Sequence, residues 1–300
     1  PHFPYRMKTV FQCLAERGQS WKVFFHDVPQ SATLAGLWTS AATHFREFES
    51  EFARDAAAGT LPAYSFIEPR YFADPVLNRL PNDEHPPHNV AYGEELIATV
   101  YNAVRSGPGW RQTMFVVTYD EHGGCYDHVA PPAAISPDDL RSDGFDFATY
   151  GVRVPAVIVS PHVRPGSVIR PPGNRRFDHT SIIATLRQLF AIGPLTKRDA
   201  AAPGLLDALD ERVTNDGPAS ITAPAVPPAP AQVARASGKP LNDLQRSLST
   251  AAVQLPTFGA DIAVHIQRLA ASVDVTPQHA TVADAAADIL AHVKAFLGQI

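Results

Sequence analysis

The chain has 300 residues, of which 45% are hydrophobic and 18% charged, so it has the apolar content for a sizeable core and is not globally disordered. Lys and Arg total 25 against 30 Asp and Glu, a net charge of -5, which argues against a general nucleic-acid binder, because neutralising phosphates needs excess basic charge. Two cysteines, Cys13 and Cys125, exclude a disulfide scaffold, and no apolar run reaches the roughly 20 residues of a membrane span.

The sequence opens at Pro1 with neither a Met nor a signal peptide, and a processed or truncated product is expected. A helical pattern over 8–16 leads into an aromatic and β-branched run over 21–26, which predicts a buried strand. A second helical pattern covers 37–53. A strand is predicted over 63–67, a helix over 90–105, and strands over 114–119 and 154–160. Pro155 sits near the start of the last, where a strand tolerates it. The clearest helix spans 180–190. Asp178 can cap it, and Ile182, Ile183, Leu186, Leu189 and Phe190 form one apolar face. Apolar strands alternating with helices predict an α/β fold: a mostly parallel sheet with helices on both faces.

The composition changes after about residue 212. Six prolines fall between 218 and 240, so 213–240 reads as a semi-extended linker. Residues 241–300 read as a small helical appendage. Asn242 caps a pattern with Leu244, Leu248 and Leu255. A second runs through Ile262, Ile266 and Leu269. A third starts at a capping-box-like Thr281 and Asp284, with Val282, Ile289, Leu290, Val293, Phe296 and Leu297 in one stripe. Packing on the main domain is the plain role of this part; self-association is the sharper one.

The densest chemical signal runs from Met114 to Pro132. A hydrophobic strand ends in Asp120-Glu121-His122, the chain continues through Gly123-Gly124, and Asp127-His128 follow. Functional residues of open α/β sheets sit at the carboxyl ends of strands. Two adjacent carboxylates repel one another, and a bound cation relieves that repulsion. Successive strand side chains point to opposite faces, so both can ligate one ion only if the chain turns at once, which the glycine pair permits. Hard oxygen ligands suit Mg, Ca or Mn, and the neighbouring imidazoles extend the choice to Zn or Fe. The plain alternative is a polar loop at a strand end.

A second cluster, Asn82 to His88, holds two histidines and two acids around Pro86-Pro87. The prolines stiffen the loop that presents these polar groups; a solvated proline-rich loop is the plain alternative. A third lies at Asp178-His179-Thr180-Ser181, where the free N–H groups of a helix start favour anions such as phosphate. Simple capping accounts for Asp178 alone.

The run Thr118-Tyr119-Asp120-Glu121-His122-Gly123-Gly124-Cys125-Tyr126-Asp127-His128 resembles the signature of the bacterial phosphoesterase family that includes non-haemolytic-type phospholipase C enzymes and secreted acid phosphatases. The segment around Ser20-Trp21-Lys22-Val23 is similar to that family's helix-to-strand entry. Asp83-Glu84-His85-Pro86-Pro87, the strand after Val152 and Asp178-His179-Thr180-Ser181 resemble its later motifs. The resemblance covers about residues 8–210 in the expected order. It implies an alkaline-phosphatase-like fold over 1–212 and metal-dependent hydrolysis of phosphate esters, with a phospholipid head group among the candidate substrates. By that resemblance Asp120 and Glu121 are metal ligands. His85, His122 and His128 lie near the substrate phosphate or leaving group, Asp127 orients a histidine, and His179 and Thr180 bind phosphate. Family members are often exported, so secretion or a periplasmic site is expected.

The family pattern also carries an earlier Glu-Asn metal motif and a hydroxyl nucleophile ahead of its Ser-Trp-Lys-Val segment. This sequence has no Glu-Asn pair, and 19 residues precede Ser20. The chain is therefore expected to represent the C-terminal part of the family domain and to be inactive in isolation if the missing groups are essential. The alternative to an enzyme is a non-catalytic relic or binding module with a residual metal or phosphate site. A metallopeptidase built on His122 and His128 is disfavoured, because the sequence has no His-Glu-x-x-His helix.

Overall fold

A computed structural model describes residues 3–213, 215–223, 227–271 and 277–299. Pro224, one of the linker prolines, lies outside the described residues. The first helix, α1 (Val10–Glu16), starts at a reciprocal cap. The Thr9 N–H donates to Gln12 Oε1 at 2.9 Å and the Gln12 N–H to Thr9 Oγ1 at 3.2 Å, which satisfies two N–H groups that a helix start leaves orphaned. Strand β1 (Trp21–Phe25) follows.

Strand β1 is the centre of a three-stranded parallel sheet, between β2 (Phe45–Glu47) and β3 (Tyr64–Ile67). Val23 stands opposite both Phe45 and Phe66. Side chains alternate across a strand, and here both faces are covered. Trp21, Val23 and Phe25 enter one hydrophobic cluster, whereas Phe24 enters another with Phe48, Phe52, Val100, Tyr101 and Trp110. Burial on both faces is why β1 reads as a continuous apolar run.

The helix expected over 37–53 is replaced by a series of short pieces. A 3-10 turn (Ala35–Ser40) and helix α2 (Ala41–His44) lead into β2, followed by a π-helical turn (Phe48–Phe52) and α3 (Ala53–Ala58). Pairing with β1 overrides local periodicity here. Phe45 is buried in the sheet's first cluster, and Phe52 packs edge-on against Phe24 with ring centroids 5.1 Å apart. Gly59, at φ 69°, ends α3 in the left-handed conformation. Helix α4 (Ala91–Ser106) then covers the Phe24 face of the sheet.

Strands β4 (Phe115–Thr118) and β5 (Ala156–Val159) form a separate antiparallel pair. The expected single, mostly parallel sheet is therefore corrected: among the described residues only the β2-β1-β3 sheet is parallel. Continuous apolar runs suggest parallel strands, but β4 is only half-buried and Val157 on β5 is 55% exposed. Helix α5 (Thr180–Phe190) has the expected bounds. Its buried side differs, because Ser181, Ala184, Thr185 and Leu186 turn inward while Leu189 is exposed. Polar residues are tolerated there because they are bonded: Thr185 Oγ1 donates to the Ser181 carbonyl at 2.6 Å and accepts from the Leu205 N–H at 2.8 Å. The short α6 (Lys197–Ala201) is anchored by a Thr196–Asp199 capping box.

Four helices follow: α7 (Pro230–Ser237), α8 (Asp243–Ala252), α9 (Ile262–Ala271) and α10 (Val282–Leu297). Helix α7 lies within the proline-rich stretch. Asn242 caps α8 and Thr281 caps α10. Val233, Leu248, Ile289, Val293 and Phe296 share the cluster of Trp21 and Val23, so these helices cover that face of the parallel sheet. Leu290 leaves the expected stripe and is exposed. Both cysteines are free, Cys13 buried and Cys125 exposed. Among the described residues no helix is long and apolar enough to cross a membrane.

Candidate active site

Immediately after β4 the chain reverses over Asp120–Gly124. Gly123 and Gly124 have φ values of 59° and 79°, a region open to glycine at no steric cost. Each carboxylate helps to hold the turn. The Glu121 N–H donates to Asp120 Oδ1 at 3.0 Å, and the Gly123 N–H to Glu121 Oε2 at 2.7 Å. His122 Nδ1 accepts from the Gly124 N–H at 3.0 Å. Asp120 and Glu121 are both exposed, so their charges keep their water.

The loop over 82–88, which precedes α4 in the chain, meets this turn. Its base is fixed by a reciprocal pair: the Asn82 N–H donates to the Arg70 carbonyl at 3.0 Å and the Arg70 N–H to Asn82 Oδ1 at 2.5 Å. Asp83 Oδ1 pairs with His88 Nδ1 at 2.6 Å, while the buried Asp83 Oδ2 has no hydrogen-bond partner among the described residues. Glu84 adopts φ 61°, an uncommon conformation for a non-glycine residue. This aims its carboxylate at β4's last neighbour, and the Tyr119 hydroxyl donates to Glu84 Oε2 at 2.5 Å. Burial, reinforced by that carboxylate, pushes the Tyr119 phenol up to about 12. The two loops also touch sterically: a methyl group on Gly123 would stand 3.0 Å from Pro86 Cδ.

The start of α5 closes the third side. His179 Nε2 lies 2.7 Å from the Tyr119 carbonyl. A carbonyl only accepts, so Nε2 carries the proton and Nδ1 is left as the acceptor of the neutral ring. By the same reasoning His85, with Nδ1 2.7 Å from the Pro86 carbonyl, keeps Nε2 available. Asp178 Oδ1 accepts from both the N–H (2.8 Å) and the hydroxyl (2.5 Å) of Thr180.

Three motifs far apart in sequence thus meet around Tyr119–Gly123: Glu84 to Pro86, Asp120 to His122, and His179. Asp127 and His128 turn elsewhere. Asp127 is held by both nitrogens of a fork from Arg153, which keeps its carboxyl down at about 2. His128 Nδ1 is 3.2 Å from Asp127 Oδ1, but the ring is largely in solvent. Thr180 is spent on Asp178. Cys125 is free and exposed just beyond the glycines.

A buried polar cluster lies outside the sequence motifs. Asp27 follows β1 and Glu68 follows β3, at the carboxyl end of the parallel sheet. Asp27 accepts from the N–H groups of Val28 (2.7 Å), Tyr71 (2.8 Å) and Phe72 (2.9 Å). Glu68 accepts from the N–H groups of Gln30 and Ser31 and from the Ser31 hydroxyl. Burial raises Asp27 to about 6 and Glu68 to about 7, and lowers His26, whose Nδ1 meets the Glu68 carbonyl, to about 4. The signal was present: acids placed directly after two apolar runs.

Among the described residues no group of three or more His, Cys, Asp or Glu could hold a metal ion. The hard oxygen donors on the turn itself are Asp120 and Glu121, two exposed carboxylates. That set suits a hydrated ion such as Mg, which keeps several waters and takes one or two carboxylates plus substrate phosphate. It does not suit a Zn or Fe site closed by protein ligands.

The profile of the Phosphoesterase family matches residues 1–193. Non-specific phospholipase C6 of Arabidopsis thaliana is 37% identical over 237 residues, covering 75% of this chain and 45% of that protein. Non-specific phospholipase C3 of the same plant is 38% identical over 236 residues, 75% and 44% of the respective chains. Phospholipase C A of Mycobacterium tuberculosis (strain ATCC 25618 / H37Rv) is 28% identical over 191 residues, 59% and 34%. The chain spans less than half the length of these relatives.

Proposed function

The chain belongs to the phosphoesterase family, and on that premise we propose that it takes part in the hydrolysis of phosphate esters of the phospholipase C type, with a phospholipid head group as substrate. The phospholipase names of its plant and mycobacterial relatives favour this over the acid-phosphatase reading. The single observation that carries it is the convergence of Glu84–Pro86, Asp120–His122 and His179 on the turn after β4.

In this reading Asp120 and Glu121 hold a hydrated divalent ion, which polarises the phosphoryl oxygens when bound. His85 keeps Nε2 free to exchange a proton with the leaving oxygen, because its Nδ1 is already committed to a carbonyl. His122 orients the glycine turn, while Asp127, held by Arg153, and His128, largely in solvent, stand apart from the leaving-group side. His179 and Thr180 stand at the start of α5 on the phosphate side; Asp178 already takes the Thr180 N–H and hydroxyl, so any phosphate there displaces that cap. The alkaline-phosphatase-like architecture, the catalytic part over 1–212, the connecting segment over 213–240 and the helical part over 241–300 belong to the same proposal.

A second reading, a non-catalytic module of the same fold with a residual phosphate or metal site, is favoured by one observation. Asp120 and Glu121 each already bond a turn N–H in solvent, a structural role that needs no ion. The two readings separate on one assay: p-nitrophenyl phosphate and phosphatidylcholine hydrolysis with added Mg, Ca, Mn, Zn or Fe. Turnover that His85→Ala lowers strongly supports the enzyme; binding of phosphate without turnover supports the module.

A further inference from the structure

Beside the start of α5 lies a cavity of about 380 Å³, which is within the range of small-molecule sites, roughly 300–1,000 Å³. Arg175, Arg176 and Arg198 line it, together with Asn174, Tyr150 and a single acid, Asp178. Three arginines and one carboxylate thus line a single cavity in a chain whose net charge is -5.

These arginines have not been neutralised within the chain. Among the described residues, neither Arg175 nor Arg176 makes an ion pair or a side-chain hydrogen bond, and both are exposed. Arg198 is held rigid without a carboxylate: its Nε donates to the Ile135 carbonyl at 2.7 Å, a terminal nitrogen donates to the Phe147 carbonyl, and its plane lies 5.5 Å from the Tyr150 ring centroid. The neighbouring Asp199 is buried and turned away, capping α6 at Thr196. Asp178 Oδ1 already serves Thr180. Ile135 and Pro203 are among the apolar residues of the lining.

We propose that this cavity binds a phosphate-bearing ligand, its oxyanion taken by Arg175 and Arg176 and its organic body lying along Tyr150, Ile135 and Pro203. Planar guanidinium forks match phosphate oxygens in pairs, and two unpaired arginines beside a third, fixed one leave positive charge for an anion. The phosphate can be free or carried by a lipid; the chemistry recognised is the same. The site goes beyond the hydrolytic reading, since it requires neither His85 nor Asp120.

The test is binding, not turnover. The full chain is titrated calorimetrically with inorganic phosphate and glycerol 3-phosphate, and sedimented with phosphatidylcholine vesicles with and without phosphatidic acid. Binding of the soluble probes is expected if the phosphate is free, and sedimentation dependent on phosphatidic acid if it is carried by a lipid; either supports the site. Arg175→Ala with Arg176→Ala is expected to weaken the binding about tenfold or more, on the strength of hydrogen bonds to charged groups. Arg175→Lys with Arg176→Lys, which keeps charge but loses the fork, is expected to weaken it less. Arg17→Ala with Arg235→Ala removes the same charge from exposed positions elsewhere and is expected to bind as the unmodified chain does. Absence of binding to all of the probes overturns the proposal, as does an equal loss in the two alanine pairs.

Discussion

The Tyr119 hydroxyl donates a 2.5 Å hydrogen bond to Glu84 across 35 residues of sequence. It ties the end of a strand to a loop that α4 separates from it in the chain. On the other side of the same residue, the Tyr119 carbonyl meets His179 Nε2 at 2.7 Å. One tyrosine therefore holds two of the three motifs to the third.

Substituting Tyr119→Phe removes that donor and leaves the Glu84 acceptor with water alone. Thermal or urea unfolding is expected to show a loss of about 1–2 kcal/mol. A double-mutant cycle with Glu84→Gln is expected to show coupling of about 1 kcal/mol. Strict additivity would mean that the contact does not hold the loop.

The two turn glycines separate strain from contact. Both take positive φ, so alanine at either costs about 1–2 kcal/mol. Only at Gly123 does a methyl group also crowd Pro86, at 3.0 Å; nothing lies within 4 Å at Gly124. Gly123→Ala is expected to shift the NMR signals of the His85 and His88 rings and to destabilise more than Gly124→Ala, which leaves those signals in place.

The main elements were legible because they are local or strongly apolar. The aromatic run at Trp21–Phe25 gave β1, and the Thr281–Asp284 cap marked the start of α10. Strand β2 was not, because Phe45–Glu47 becomes a strand only by pairing with β1. Parallel and antiparallel neighbours leave the same short apolar run, so the direction of β4 against β5 was hidden too. At the site, the motif residues were visible as clusters, yet their partners were not. Nothing local in sequence tells that Asp127 would be claimed by Arg153, or that Asp27 would bridge the Tyr71 and Phe72 N–H groups.

The buried cluster predicts a pH dependence with a definite sign. Burial raises Glu68 from 4.5 to about 7 and Asp27 from 3.8 to about 6. The folded state then binds more protons than the unfolded one, so their contribution is complete below about pH 4 and is lost as pH rises through 6 to 7. His26, lowered to about 4, works oppositely between about pH 4 and 6.5, but it offsets only one of the two acids. Stability is expected to fall from pH 5 to pH 8 by about 1–3 kcal/mol. Glu68→Gln is expected to flatten much of that fall. Unfolding curves at each pH provide the check; a rise across this interval would contradict the burial of the acids.

The ion proposed at Asp120 and Glu121 has its own test. Calorimetric titration with Mg or Mn is expected to show binding that Asp120→Ala and Glu121→Ala each weaken about tenfold, as loss of one of two charged oxygen donors implies. Affinity unchanged in both variants would refute the assignment.

The most direct measurement is hydrolysis of phosphatidylcholine by the chain in the presence of Mg, Ca, Mn, Zn or Fe, compared with His85→Ala. If the three motifs form one hydrolytic site, turnover is expected with at least one ion, and His85→Ala is expected to lower it about 100-fold or more, the usual worth of a proton-transfer group. No turnover with any of the ions, or full activity in His85→Ala, would contradict it.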